Sequence, residues 1–125
     1  MKRTTLLAFF LSHATEDSLA ARSLANRLEM AGFPCWLSQR DALPDIPYQR
    51  QVEKALSRSA VVVVLLSRQS IKSMTLYAEV EAAYKFGCLI VPVFVDSTSS
   101  EIESLSNTWQ VFFASNQSFE WNRTS

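Results

Sequence analysis

The chain is nearly without glycine: Gly32 and Gly87 are the two in 125 residues. That excludes a phosphate cradle of the G-x-G-x-x-G or P-loop kind, whose turns need backbone amides that approach the ligand without a Cβ between them. One histidine, His13, argues against a histidine-built metal centre or catalytic triad, and no metal is expected. Two cysteines, Cys35 and Cys88, each in an apolar context, make neither a disulfide framework nor a zinc site. They are expected as buried thiols in a reducing, cytoplasmic compartment. Neither sign of charge is in excess, with 12 Lys and Arg against 12 Asp and Glu, so nothing in the balance marks a nucleic-acid partner. No apolar run approaches the roughly 18 residues of a membrane span.

What is present is a series of short apolar runs separated by helical periodicity. "LLAFFLS" follows a basic start and ends near small residues, which approaches a secretory leader. Its apolar stretch is nevertheless shorter than the roughly 7–15 residues of such a segment, so it reads better as a first strand. Thr15 to Ser18 supply cap and first-turn residues. Leu19, Leu24, Leu28 and Ala31 then recur at helical spacing, and Gly32 closes the helix. "FPCWL" reads as a strand and "SQRDALPDIPYQ", with two prolines, as a loop. "QRQVEKALSRS" reads as a short helix. "AVVVVLLS" and "CLIVPVFVD" are continuous apolar runs, as in strands covered on both faces. Residues 69–86 between them read as a helix stopped by Gly87. "STSSEIESLSN" is expected as a short helix or turn and "WQVFFA" as a last strand. Strands alternating with helices imply an α/β fold, a doubly wound parallel five-stranded sheet with helices on both faces, in one domain over 1–125.

Ligands in such sheets sit beyond the carboxyl ends of the strands, near the topological switch point. Those ends carry Ser12 and His13, Ser38 to Asp41, Ser67 and Arg68, and Asp96 and Ser97. A phosphoacceptor domain of this topology needs a carboxylate after the third strand, where this chain has Ser67. Two other carboxylates stand on the helix "SIKSMTLYAEVEAAYKFG". Leu76, Val80 and Ala83 define its buried stripe; at about 100° per residue Glu79 lies about 65° from the centre and Glu81 about 130°. Glu81 therefore points to solvent. Glu79 belongs at the core edge, where a carboxylate needs either a cleft or a partner such as Lys72.

Four blocks in this order resemble the bacterial Toll/interleukin-1 receptor (TIR) domains. "FFLSHATED" is similar to their F-(I/L)-S-(Y/H)-x-x-x-D, and "GFPCWLSQRDALP" to G-x-x-C-W-x-x-x-R-D-x-x-P, the second strand and the BB loop. "VVVVLLSRQSIKS" is similar to the third strand with its S-x-x-S-x-x-S exit. "EVEAAYKFGCLIVPVFVD" resembles E-x-x-x-A-x-x-x-G-x-x-I-(I/V)-P-(I/V). The resemblance implies a flavodoxin-like TIR fold whose last helix is missing or truncated, in a chain that is a fragment of a larger effector or depends on a separate sensor or activating partner.

It also implies an activity. Many members cleave NAD+ between nicotinamide and ribose as antiviral effectors triggered by self-assembly; others are non-catalytic signalling scaffolds. A nucleoside deoxyribosyltransferase-like enzyme is a further alternative, since it too sets a glutamate beside a ribose. Glu79 matches the glutamate of the enzymes' W-x-x-x-E, with Thr75 at the tryptophan position, which leaves a linear or a cyclic ADP-ribose product open. NAD+ would be substrate, with no cofactor. The implied roles are catalysis for Glu79 and substrate contact for Phe10, Ser12, His13, Trp36, Arg40, Ser67 and Thr75. Asp41, Leu43, Pro44, Asp45 and Pro47 would form the assembly loop. Phe10 and Trp36 would wall the nicotinamide, their alternative being plain core packing.

Overall fold

The computed structural model describes residues 7–95 and 119–121. Strand β1 is Leu7–Ser12, helix α1 Ser18–Met30, β2 Cys35–Leu37, α2 Ser38–Asp41, α3 Tyr48–Ser57, β3 Ser59–Leu66, α4 Met74–Lys85, β4 Leu89–Val95 and β5 Phe119–Trp121. All pairings are parallel and the strand order is β2-β1-β3-β4-β5. The order turns back between β1 and β3, which is the switch point of this topology.

The valine-rich third strand shows why the sheet needs cover on both sides. Val62, Val64 and Leu66 pack with Phe10, Val52, Leu56, Leu76, Val80 and Ile90 beneath α3 and α4. Val63 and Leu65 point the other way and pack with Leu11, Ala21, Ala25 and Leu37 beneath α1. A side chain buried on each face removes the usual strand alternation. Full burial of each such side chain is worth about 1.5–3 kcal/mol. Gly32 and Gly87 end α1 and α4 with φ of 94° and 76°, a region open to glycine at no steric cost.

Two expected boundaries change. The segment after β2 is not all loop: Ser38–Asp41 forms a helical turn, because Asp41 Oδ2 accepts the Leu37 N–H at 2.9 Å and Ala42 N–H bonds Ser38 O at 3.0 Å. The loop proper is 42–47, and α3 begins at Tyr48, directly after Pro47. The helix expected over 69–86 is split into a 3-10 turn, Ser70–Lys72, and α4, whose N-cap Ser73 accepts the Leu76 N–H at 3.1 Å. The split has a local cause. Ser70 Oγ takes the Ser67 N–H at 2.6 Å, which offers the backbone an alternative to a continuous helix. The strand expected at 109–114, the turn at 97–107 and the truncated last helix lie outside the described residues.

Candidate functional site

Helix α4 turns Leu76, Val80 and Ala83 into the core, as their spacing requires. Glu79 follows them further than its helical angle suggests: it is 4% exposed. Among the described residues no lysine pairs with it. Ser12, fully buried at the end of β1, donates its hydroxyl to Glu79 Oε1 at 2.6 Å. Tyr48, the first residue of α3, donates its hydroxyl to Oε2. Burial raises the carboxyl pKa; hydrogen bonds from Ser12 and Tyr48, the nearby ring of His13 and a further bond from Ser38 act the other way. Burial is the larger influence, so the site holds a carboxylate less comfortable ionised than one in water.

Glu79 lines a cleft of about 330 Å³ between α3 and α4, with Tyr48, Gln49, Val52 and Glu53 on one side and Met74, Thr75, Ala78 and Ala82 on the other. Thr75 lies one turn before Glu79 and opens into the same space. A second carboxylate, Glu53, makes this cleft acidic. Glu81 faces outward as expected, 3.9 Å from Lys85.

The other expected site residues divide. His13 is buried beside this region; its Nδ1 lies 2.8 Å from Ala14 O, and its Nε2 is buried without a hydrogen-bond partner among the described residues. Phe10 cannot wall a ligand here, since it is fully buried and its ring stacks on Trp36 at 5.0 Å and 25°. The two are register neighbours on adjacent strands, so they share a face. Trp36 opens into a different cleft, with Asp41, Leu43, Ile46 and Arg50.

Ser67 is also occupied. Its hydroxyl donates to buried Asp17 at 2.6 Å and accepts the Ser70 N–H at 3.0 Å, which knots the end of β3 to the turn before α1. Arg40 makes a two-pronged bond to Glu29 at 2.8 and 3.0 Å, bonds both Asp41 oxygens at 2.9 Å and reaches Cys35 O at 2.8 Å. These bonds, Asp41's first, hold its charge and raise its pKa. Arg40 and Asp41 therefore anchor the loop entrance, while Leu43, Pro44, Asp45 and Pro47 are exposed. Cys35 is a buried thiol whose pKa burial pushes to about 11, and it forms no disulfide.

Sequence reasoning missed Tyr48 and Glu53, and placed Ser38 at a strand end without its bond to Glu79. Tyr48 and Ser38 stood in a proline-bearing stretch that offers no periodicity, and their partner is on another helix.

A parallel sheet in the order β2-β1-β3-β4-β5 with helices packed on both faces is a flavodoxin-like α/β architecture. The chain belongs to the TIR domain family, whose model matches residues 9–124. Its fold is similar to that of a metazoan TIR-STING receptor from C. gigas in complex with 2',3'-cGAMP, at 23% identity and a TM-score of 0.74 over 96% of this chain and 37% of that one. It is similar to the TIR domain of the Toll-related receptor TRR-2 from Hydra magnipapillata, at 17% and 0.73 over 93% and 85%. It is similar also to the TIR domains of the activated Roq1 resistosome directly recognizing the pathogen effector XopQ, at 24% and 0.70 over 86% and 69%. No curated protein matches the chain by sequence. Among the described residues no helix is long and apolar enough to cross a membrane.

Proposed function

We propose that this domain cleaves NAD+ at the nicotinamide–ribose bond, with Glu79 as the catalytic carboxylate. The observation that carries the reading is a glutamate 4% exposed, held by hydroxyls alone and lining a cleft. A buried carboxylate is costly to keep, and among the described residues no ion pair offsets this one. The reaction suits one carboxylate. Nicotinamide is a cationic pyridinium in NAD+ and leaves as a neutral base, so the general acid of ordinary glycosidases is not required. Glu79 supplies negative charge and two acceptor oxygens to an oxocarbenium-like ribose and its hydroxyls. Water, or a second atom of the substrate, then captures C1 of the ribose.

The surroundings support the same reading. Glu53 adds negative charge to a cleft that receives a cationic ring. The volume, about 330 Å³, stands at the small end of the roughly 300–1,000 Å³ of ligand pockets. It suits the nicotinamide riboside half, and the rest of the dinucleotide then extends beyond it. A neighbouring copy that covers this remainder would make activity depend on self-association through the exposed loop 42–47. A sensor domain or activating partner would set that association, as in an antiviral or cell-death effector.

The test is nicotinamide release from NAD+ at high protein concentration, comparing wild type with Glu79→Gln and Glu81→Gln. Glu79→Gln abolishes release while the fold is retained, and Glu81→Gln leaves it near the wild-type rate. Equal turnover by all three proteins refutes the catalytic assignment. No turnover by any under crowding leaves the domain as a non-catalytic TIR scaffold.

A further inference from the structure

The two hydroxyls on Glu79 are not equivalent. Ser12 is fully buried at the end of a central strand, paired in register with Val64 of β3. It cannot leave the carboxylate unless the sheet moves. Tyr48 is 42% exposed and opens α3 at the point where the loop 42–47 meets the helix. Its ring lines the same cleft as Glu79.

The loop is fastened to this helix by one side chain. Gln51 Oε1 accepts the Leu43 N–H at 2.7 Å, and its amide donates to Leu43 O and Ile46 O, each at 2.8 Å. Loop, first helical turn and Tyr48 are thereby one mechanical unit, with its hydroxyl resting on Glu79 Oε2. Burial first, then the charge of Glu79, raise the pKa of the phenol.

We propose that Tyr48 is a stopper on the catalytic carboxylate, occupying the oxygen that a ribose diol must reach, so that productive binding requires the hydroxyl to swing away. The proposal rests on the reading of Glu79 as the residue that receives the ribose. It makes Tyr48 a positioning residue whose removal improves binding, which is the opposite of what loss of a substrate contact does. Gln51 sets how readily the stopper lifts, because it ties the helix start to the loop.

The test uses the full chain, the variants Tyr48→Phe and Gln51→Ala, and a carbocyclic NAD+ analogue that binds but cannot be cleaved. Tyr48→Phe is expected to bind the analogue about tenfold more tightly, the worth of one hydrogen bond to a charged group. In turnover the same variant lowers KM by a similar factor with kcat little changed. It also moves the acid limb of the pH profile upward, since the carboxylate loses a donor that lowers its pKa. Gln51→Ala gives a smaller gain in affinity and a smaller upward shift of the acid limb. Weaker or unchanged analogue affinity in Tyr48→Phe overturns the proposal, as does a fall in kcat at constant KM. A wild type that binds the analogue yet releases no nicotinamide refutes the NAD+-cleaving reading alone, and the affinity ratio still decides the role of Tyr48. Failure of both proteins to bind overturns both.

Discussion

Replacing Ser12 with alanine removes one atom from a fully buried position and takes from Glu79 Oε1 a donor at 2.6 Å. The hole left is small, so the cost is electrostatic. A hydrogen bond to a charged group is worth about 1.5–3 kcal/mol and a neutral one about 1 kcal/mol. At neutral pH Ser12→Ala should therefore destabilise the fold by about 2 kcal/mol, or roughly 5–12 °C in melting temperature for a domain of this size. In a Glu79→Gln background the bond is neutral from the start, and the same change should cost about 1 kcal/mol. The difference, about 1 kcal/mol, is the coupling between hydroxyl and charge. It should depend on pH in one direction. Ser12 lowers the carboxyl pKa, so its charge-dependent share is present where Glu79 is ionised and fades as pH falls through that pKa. Urea denaturation of the four proteins, at neutral and acidic pH, measures each quantity. Equal costs in the two backgrounds, to within about 0.4 kcal/mol, would refute the claim that Ser12 serves the carboxylate.

Glu79 itself should weaken the fold. Its pKa is raised above that of the unfolded chain, near 4.3, chiefly by burial, so stability is full below that value and falls as pH rises towards the folded pKa. Glu79→Gln should gain stability over the wild type across that rise and none below it, read from urea midpoints along a pH series. Nicotinamide release should climb faster than linearly with protein concentration if neighbouring copies complete the site; a specific activity flat over a hundredfold dilution would sink that idea. Thr75 opens into the cleft with a short side chain, which should leave room for water. Linear ADP-ribose should then dominate, and Thr75→Trp should shift products towards the cyclic form or slow turnover by overfilling. Chromatography with mass detection decides it, and a mainly cyclic product from the wild type overturns it.

The residues that were legible in the sequence are those whose environment is set by their own element. The valine run announced a strand buried on both faces, and the Leu76, Val80, Ala83 stripe placed Glu79 near the core and Glu81 outside it. What stayed hidden depends on a second element. Ser67 stands at a strand end, where ligands bind in such folds, yet only the folded chain brings Asp17 to it across fifty positions. Arg40 was legible as a loop residue but not as the partner of Glu29, eleven positions earlier on α1. Phe10 and Trp36 share a face because β1 and β2 pair in that register, and no periodicity within either short strand discloses it. Tyr48 was obscured by its prolines. Pro44 and Pro47 mark a loop correctly, and the helix begins at the very next residue.

The carboxylate is held from two directions by residues far from it along the chain: Ser12 is 67 positions upstream and Tyr48 is 31. During synthesis at roughly 5–20 residues per second, β1 and α3 exist for seconds before α4 arrives. Even then part of the floor beneath α4, Ile90 and Phe94, is added only when β4 pairs with β3. Neither hydroxyl reaches Glu79 until α4 packs against β1 and α3. The burial of this carboxylate is thus a property of the assembled sheet and its two covering helices, not of the helix that carries it.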